Sequence, residues 1–440
     1  MDAKEVRKII GKEDVKFLQL WFVDLESNLK TVNVFRDQID SVIEDGASFD
    51  GSSIRGFTRI EESDMFLRPD LSTFKLLPFE VEGGKIARVF CDVTKPDGEC
   101  YEDAPRTILK KNSKEIKDKY DYTFYVGPEL EFFYFKKPFE IEFIDYNGYF
   151  DLISPDTGED LLRKTVYHLQ KLGIKVEYIH HEVSPSQYEL DFKYSDALTM
   201  ADNLITAKYI VKRIAIENGY YATFMPKPVE GINGSGMHVH QSLFKGEKNI
   251  FSSEKSDSGL SDIAEYYIAG LLQHAKEITL ITNQWVNSYK RLVPGYEAPV
   301  YISWGRSNRS PLIRVPAVRK GNTKSTRIEY RSPDPAANPY LLFSVLLKAG
   351  IKGIENRYNL SKPQEENIYK FDYFRRKEEG IESLPGSLIE AIMEAEKGSV
   401  IKEALGESAF DKIIMSKKVH WDDFRIKVTD YEIKKYLPIL

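Results

Sequence analysis

Cysteine is nearly missing from this chain. Cys91 and Cys100 are the only two among 440 residues. Two thiols cannot build a disulfide framework, and these two lack zinc-site spacing. Also missing is any apolar run long enough to cross a membrane. The opening Met-Asp-Ala-Lys-Glu-Val-Arg is charged where a secretory leader would be apolar. These absences predict a cytoplasmic protein. No charge of one sign dominates: 62 basic and 68 acidic residues leave a net charge of −6. That excludes a global attraction to nucleic acid or to membrane. There is no internal repeat, no low-complexity segment, no Walker A pattern and no dinucleotide-type glycine fingerprint.

What is present is a large apolar fraction, 42%, enough for an extensive core in two or three domains. Residues 4–10 read as a short helix. Val15 to Asp24 and Leu29 to Phe35 read as partnered strands, and strands return near Leu76 and from Ile86 to Val93. The first hundred residues are thus mostly strand with one short helix. A Lys-Pro-Asp-Gly turn and Pro105 mark a boundary near 96 to 105, dividing the chain into 1–100 and 101–440. Beyond it, helices are predicted over 105–120, 159–172, 196–218 and 261–289, and from Asn338 onward. Strands are predicted over 122–135, 174–193 and, in short pieces, 298–331. The fold class is α+β.

Four strand candidates carry charge that can face inward. In Gly-Pro-Glu129-Leu-Glu131-Phe-Phe the two carboxylates share one face among apolar neighbours. His-His-Glu182-Val-Ser-Pro-Ser-Gln-Tyr-Glu189 places a carboxylate on either side of a turn. Arg327-Ile-Glu329-Tyr-Arg331 alternates charges on one face, and the glycine-rich run from Met225 ends in His238 and His240, which face one way. Burying five carboxylates together costs several kcal/mol unless cations neutralise them. Oxygen ligands with one imidazole suit two Mg²⁺ or Mn²⁺ ions, the number that bridges nucleotide phosphates.

From Arg306 to Arg331 there are eight basic residues and one acid. They are interleaved with apolar residues and prolines, which favours a compact polyanion pocket over a basic surface. Arg291-Leu-Val-Pro-Gly-Tyr-Glu297-Ala-Pro reads as a hinged loop able to act as a lid. Metals, arginines and a lid carboxylate together point to ATP-dependent phosphoryl transfer.

With Asp50-Gly-Ser-Ser, Asn233-Gly-Ser-Gly-Met-His238, Asn308-Arg-Ser and Arg327-Ile-Glu-Tyr-Arg-Ser-Pro-Asp-Pro335, these motifs closely resemble the type I glutamine synthetases. They stand in the family's order along nearly the whole chain. The resemblance implies an N-terminal β-grasp domain and a C-terminal, barrel-like catalytic domain built on an antiparallel sheet. It implies L-glutamate, ammonium and ATP as substrates and glutamine as product. It implies Glu131, Glu182 and Glu189 as ligands of one metal, and Glu129, His238 and Glu329 of the other. Tyr149, Asn233, Gly234, His240, Arg291, Glu297 and Arg331 match positions that handle glutamate and ammonium. Tyr194, His240, Ser242, Arg309, Arg314 and Arg327 match positions that handle the nucleotide and transferred phosphate. Asp50 resembles the residue that deprotonates ammonium in a neighbouring subunit's site, implying a homo-oligomer, typically a dodecamer of two hexameric rings, open to regulatory protein partners. On this resemblance the Gly234 loop is glycine-rich because larger residues would occupy the substrate's place. Arg59 resembles an arginine of feedback inhibition, and the altered surroundings of Tyr369 predict no adenylylation. Ser186 stands where a smaller residue is commoner, with little consequence anticipated.

Overall fold

The computed structural model describes residues 1–54, 64–151, 157–256, 258–306, 308–319 and 321–440. Arg59, Glu61 and Glu62 therefore lie outside the described residues.

The N-terminal region opens with helix α1 (Ala3–Lys12), capped by Asp2, whose side chain accepts from the Glu5 amide while Glu5 reaches back. Strands β1 (Val15–Val23) and β2 (Leu29–Phe35) pair antiparallel, as the alternation predicts. A second helix, α2 (Ile39–Asp45), follows. It corrects the expectation of a single helix: seven residues with Ile39 and Val42 buried are too short for a clear helical period. Strands β3 (Ala47–Asp50), β4 (Asp64–Pro69), β5 (Lys75–Val81) and β6 (Gly84–Thr94) complete a six-stranded sheet ordered β2-β1-β6-β4-β3, with β5 also on β6. The β1–β6 pairing is parallel.

Helix α3 (Pro105–Tyr120) starts on the proline, whose missing N–H costs nothing in a first turn. Strand β7 (Tyr122–Phe135) is the spine of a ten-stranded, mainly antiparallel sheet. Up to Pro128 it pairs with strand Val239–Lys245; from Glu129 it pairs with β9 (Gln187–Phe192), the second arm of a hairpin begun by β8 (Val176–His181). Helices α4 (Thr157–Lys171) and α5 (Ala197–Glu217) and the helix Pro339–Asn356 pack on the sheet's apolar face. The long helix predicted over 261–289 is three helices, Asp262–Gln273, Ala275–Thr282 and Ser288–Arg291. The chain breaks at His274 and at Asn283, whose buried amide donates to Ser332 O and to Asp334. Segment 357–387, predicted helical with the rest of the C-terminal part, is mostly irregular.

The two regions share core. Trp21, Leu77, Phe79 and Phe90 of the small sheet are buried in one cluster with the large sheet and its helices. Arg106 ties them electrostatically, reaching Asp92 at 2.7 Å, Asp70 at 2.8 Å and Asp202 at 3.0 Å.

Candidate active site

Period-two alternation on β7 turns Leu130 and Phe132 into the core at 0% exposure and Glu129 and Glu131 to the opposite face. That face lines a cavity of about 1170 Å³, shared with Glu182, Glu189, His238, Arg291, Arg331, Arg309, Glu297 and Tyr149. A second cavity of about 290 Å³ is lined by Tyr194, His240, Ser242 and Arg327. Glu129, Tyr178 and Asp191 face both, so an acidic wall separates the two spaces.

On that wall Glu129 accepts from both histidines. Burial pushes its pKa up, but the bonds from His238 and His240 outweigh this and hold it well below the usual carboxylate range. Glu329, 1% exposed, pairs with Arg331 and, at 2.7 Å, with Arg314. Burial opposes its ionisation, yet the Arg331 charge draws its pKa down to about 2. Ligand atoms of Glu129, His238 and Glu329 lie within 4.8 Å of one another.

The hairpin carboxylates behave oppositely. Burial first, then Glu131 and Glu297, push Glu182 up to about 9. Burial, Glu131 and Asp191 push Glu189 well above its ordinary value. The Glu182 Oε2 and Asp191 Oδ1 atoms are buried without hydrogen-bond partners. Unpaired buried carboxylate oxygens call for a cation, so this donor set fits a divalent ion.

The ligand atoms within 4.8 Å here are those of His180, Glu182 and Glu189, or of Glu129, Glu189 and Asp191. Glu131 faces the same cavity, with one oxygen accepting from Gln187 Nε2 at 2.9 Å and from the Gly236 amide at 2.8 Å. The sequence reading missed His180 and Asp191. Their signal was available: His180 stands two before Glu182, and Asp191 two after Glu189, the spacing that singled out Glu129 and Glu131.

The glycine loop is packed rather than loose. A Cβ on Gly234 would lie 2.2 Å from Pro226 O, and one on Gly236 would lie 2.5 Å from Arg291. These glycines serve close approach of backbone and arginine, which corrects the idea that a larger residue there would mainly occupy substrate space. Arg291 is 2% exposed and donates to Ser332 O at 2.7 Å and Pro333 O at 3.1 Å. Glu297 is exposed on its loop, has φ 56°, and accepts from Asn233 Nδ2 at 3.2 Å. The Tyr369 hydroxyl donates to Ala298 O at 2.8 Å beside it. Tyr149 stacks on Phe150 with ring centroids 4.0 Å apart.

Ser186 departs from expectation. It holds φ 61° at the hairpin turn, and its hydroxyl accepts from the Ile144 amide at 2.8 Å. The small change anticipated from sequence ties two segments together, because a hydroxyl can both accept and donate.

Asp50 does not line either cavity. It ends β3 on the surface, where its carboxylate accepts from the Ser52 amide at 2.9 Å.

This geometry coincides with extensive similarity to known proteins. Residues 14–96 match the family model described as glutamine synthetase, beta-Grasp domain, and residues 102–436 match that of the glutamine synthetase catalytic domain. A glutamine synthetase of Thermotoga maritima is 49% identical, covering 99% of this chain and 100% of the relative. One of Methanosarcina mazei is 48% identical, covering 99% and 98%. Among solved structures, Plasmodium falciparum glutamine synthetase superposes with a TM-score of 0.88 at 28% identity, covering 99% of each chain. A GmaS complex with ADP superposes at 0.89 with 29% identity, covering 98% and 99%. The chain belongs to the glutamine synthetase family, in its type I branch.

Proposed function

We infer that the protein is an ATP-dependent glutamate–ammonia ligase working through γ-glutamyl phosphate. One observation carries the reading: a wall of half-buried carboxylates, Glu129 and Asp191, stands between an arginine-lined cavity and a second, smaller one. Glutamate takes the larger cavity, its α-carboxylate at Arg291 and its amino end at Asn233 and Gly234. Tyr194, Ser242 and His240 face the nucleotide from the smaller one, with Arg327 and Arg314 toward its phosphates. Glu129, His238 and Glu329 would hold one divalent ion, and Glu182 and Glu189 with Glu131 the other. Bound there, Mg²⁺ or Mn²⁺ neutralises phosphate charge during transfer.

The glutamate side-chain carboxylate attacks the γ-phosphorus, and ADP leaves. Arg309 and Arg331 face the charge that develops on the moving phosphoryl group. Asp50 of a neighbouring subunit takes a proton from ammonium, with Tyr149 beside the bound ion. The ammonia nitrogen then attacks the acyl carbon, and phosphate departs with its bonding pair. Glu297 covers the site, excludes water and accepts the surplus proton from nitrogen. Arg59 belongs to a feedback response to glutamine.

Because Asp50 lies away from its own chain's cavity, this reading requires an oligomer, which we take to be a dodecamer of two stacked hexamers. Ile426, Val428, Leu437 and Ile439 are exposed near the C-terminus, apolar surface of the kind that subunit contacts cover. The protein acts in the cytoplasm, and regulatory proteins dock on the assembly.

Incubation of the purified protein with Mg-ATP, glutamate and ammonium should release phosphate and form glutamine. Turnover with a larger amine but not with ammonium would instead make it an amine-using relative. The full-length relatives at 48–49% identity are named glutamine synthetase, which favours ammonium.

A further inference from the structure

The chain between β7 and α4 is a long connection, and Tyr149 sits near its end. Loops of this length are functional or disordered, so what fastens this one matters. The fastening converges on two side chains. Ser186, at the tip of the β8–β9 hairpin, accepts from the Ile144 amide at 2.8 Å and from the Asp145 amide at 3.3 Å. Its own proton goes to Asp145 O at 3.3 Å, so the hydroxyl's capacity is used in full.

Asp145 returns the contact. Its Oδ1 accepts from the Ser186 amide at 3.0 Å, from His181 Nε2 at 2.7 Å and from the Asn147 amide at 3.1 Å. Its Oδ2 accepts from the Tyr188 hydroxyl at 2.6 Å. The opposite ring nitrogen of His181 meets Glu182 O at 2.6 Å, and the Phe150 amide donates to His181 O at 3.2 Å. One carboxylate and one hydroxyl thereby join the loop bearing Tyr149 to the hairpin bearing Glu182 and Glu189.

A glycine would adopt the φ of 61° at position 186 without strain. The serine adopts a disfavoured conformation and gains three hydrogen bonds to the loop by doing so.

We propose that Asp145 and Ser186 form a clamp that seats Tyr149 over the Glu182–Glu189 hairpin, and that both are positioning residues for the ammonium pocket. The clamp acts through Tyr149 and touches no reacting atom, and it rests on the reading of the site as a glutamate–ammonia ligase. It leaves the smaller, nucleotide cavity alone, because Asp145, Ser186 and Tyr149 do not line it, and it reaches the larger cavity only indirectly, through Tyr149, His181 and Tyr188.

The test pairs amide hydrogen exchange with steady-state kinetics on the intact protein, using Ser186→Ala and Asp145→Asn. Ser186→Ala keeps the backbone and removes only the hydroxyl, so it remains informative if Asp145→Asn folds poorly. Exchange at Ile144 and Asp145 should accelerate at least tenfold on the order expected for lost protection, and the KM for ammonium should rise on the order of tenfold. The KM for ATP should stay within about twofold, against a tenfold step equivalent to 1.4 kcal/mol, and the KM for glutamate should rise less than that for ammonium. Equal rises in all three KM values with a fall in Tm would reduce the clamp to a general structural role and overturn the proposal. So would unchanged ammonium KM in variants of an active wild type. A wild type without ammonium-dependent turnover would defeat the functional reading, and the positioning role with it.

Discussion

Glu129 accepts a hydrogen bond from each of two imidazoles, His238 Nδ1 at 2.9 Å and His240 Nε2 at 2.8 Å. Only His238 shares a cluster of close ligand atoms with Glu129 and Glu329. His240 instead orients Glu129 from the side of the smaller cavity. Outer partners of this kind are worth 10- to 100-fold, roughly, in metal affinity or activity. His240→Ala should lower divalent-ion affinity by about that factor, read by calorimetric titration. Unchanged affinity would confine His240 to substrate contact.

The raised pKa values of Glu182 and Glu189 and the unpaired Glu182 Oε2 describe a site that a cation relieves. A divalent ion at a hundred times its Kd should stabilise the fold by about 2.7 kcal/mol. Thermal unfolding with Mg²⁺ and with a chelator measures this. Glu189→Gln should shrink the difference, and identical melting curves for the wild type with and without metal would exclude a cation from this wall.

Glu297 and Asp50 stand on different elements, one exposed on the loop beside the cavity and one at the end of β3. Glu297→Ala should slow glutamine formation about 10²- to 10⁴-fold, the usual scale for a positioned acid or base, and leak acyl phosphate to water. Asp50→Ala should raise the ammonium requirement. Co-expressed, the two variants should recover part of the activity through mixed sites. No recovery in mixed oligomers would place Asp50 with its own chain's chemistry.

Arg106 binds three carboxylates across the two regions. Removing it leaves Asp70 and Asp92 with Lys110 and Asp202 with the Tyr340 hydroxyl, so Arg106→Ala should cost about 1.5–3 kcal/mol in chemical denaturation, the scale of lost hydrogen bonds to charged groups. Burial pushes Asp70 up, but hydrogen bonds from Ser72 and Arg106 prevail and bring it from 3.8 to about 2. A depressed folded-state pKa contributes stability that is present above the unfolded value. That contribution is lost as pH falls from 3.8 toward 2. Solvent screening limits it to about 1 kcal/mol. Tm should fall through this window, and less steeply in Asp70→Asn.

Local pattern made much of this legible. The exchange of apolar and charged residues along Tyr122–Phe135 announced both a strand and its acidic face. Pro105 announced a helix start, and Leu29–Phe35 a strand, to the residue. Propensity failed where tertiary contacts overrule it. Nothing local breaks the apolar run after Ser261; Asn283 breaks it by bonding to a segment about fifty residues away in sequence.

By itself, then, the sequence determined which residue types share a face, because side-chain direction follows from backbone period alone. It settled the α+β class, the carboxylates of β7 and the basic stretch before Arg331. Only the tertiary structure decided which faces meet. Bringing His180 and Asp191 to the acidic wall, keeping Asp50 away from its own chain's cavity and fastening Ser186 to Asp145 all depend on contacts between distant segments. Those contacts follow from packing one large sheet against its helices, and no local periodicity encodes them.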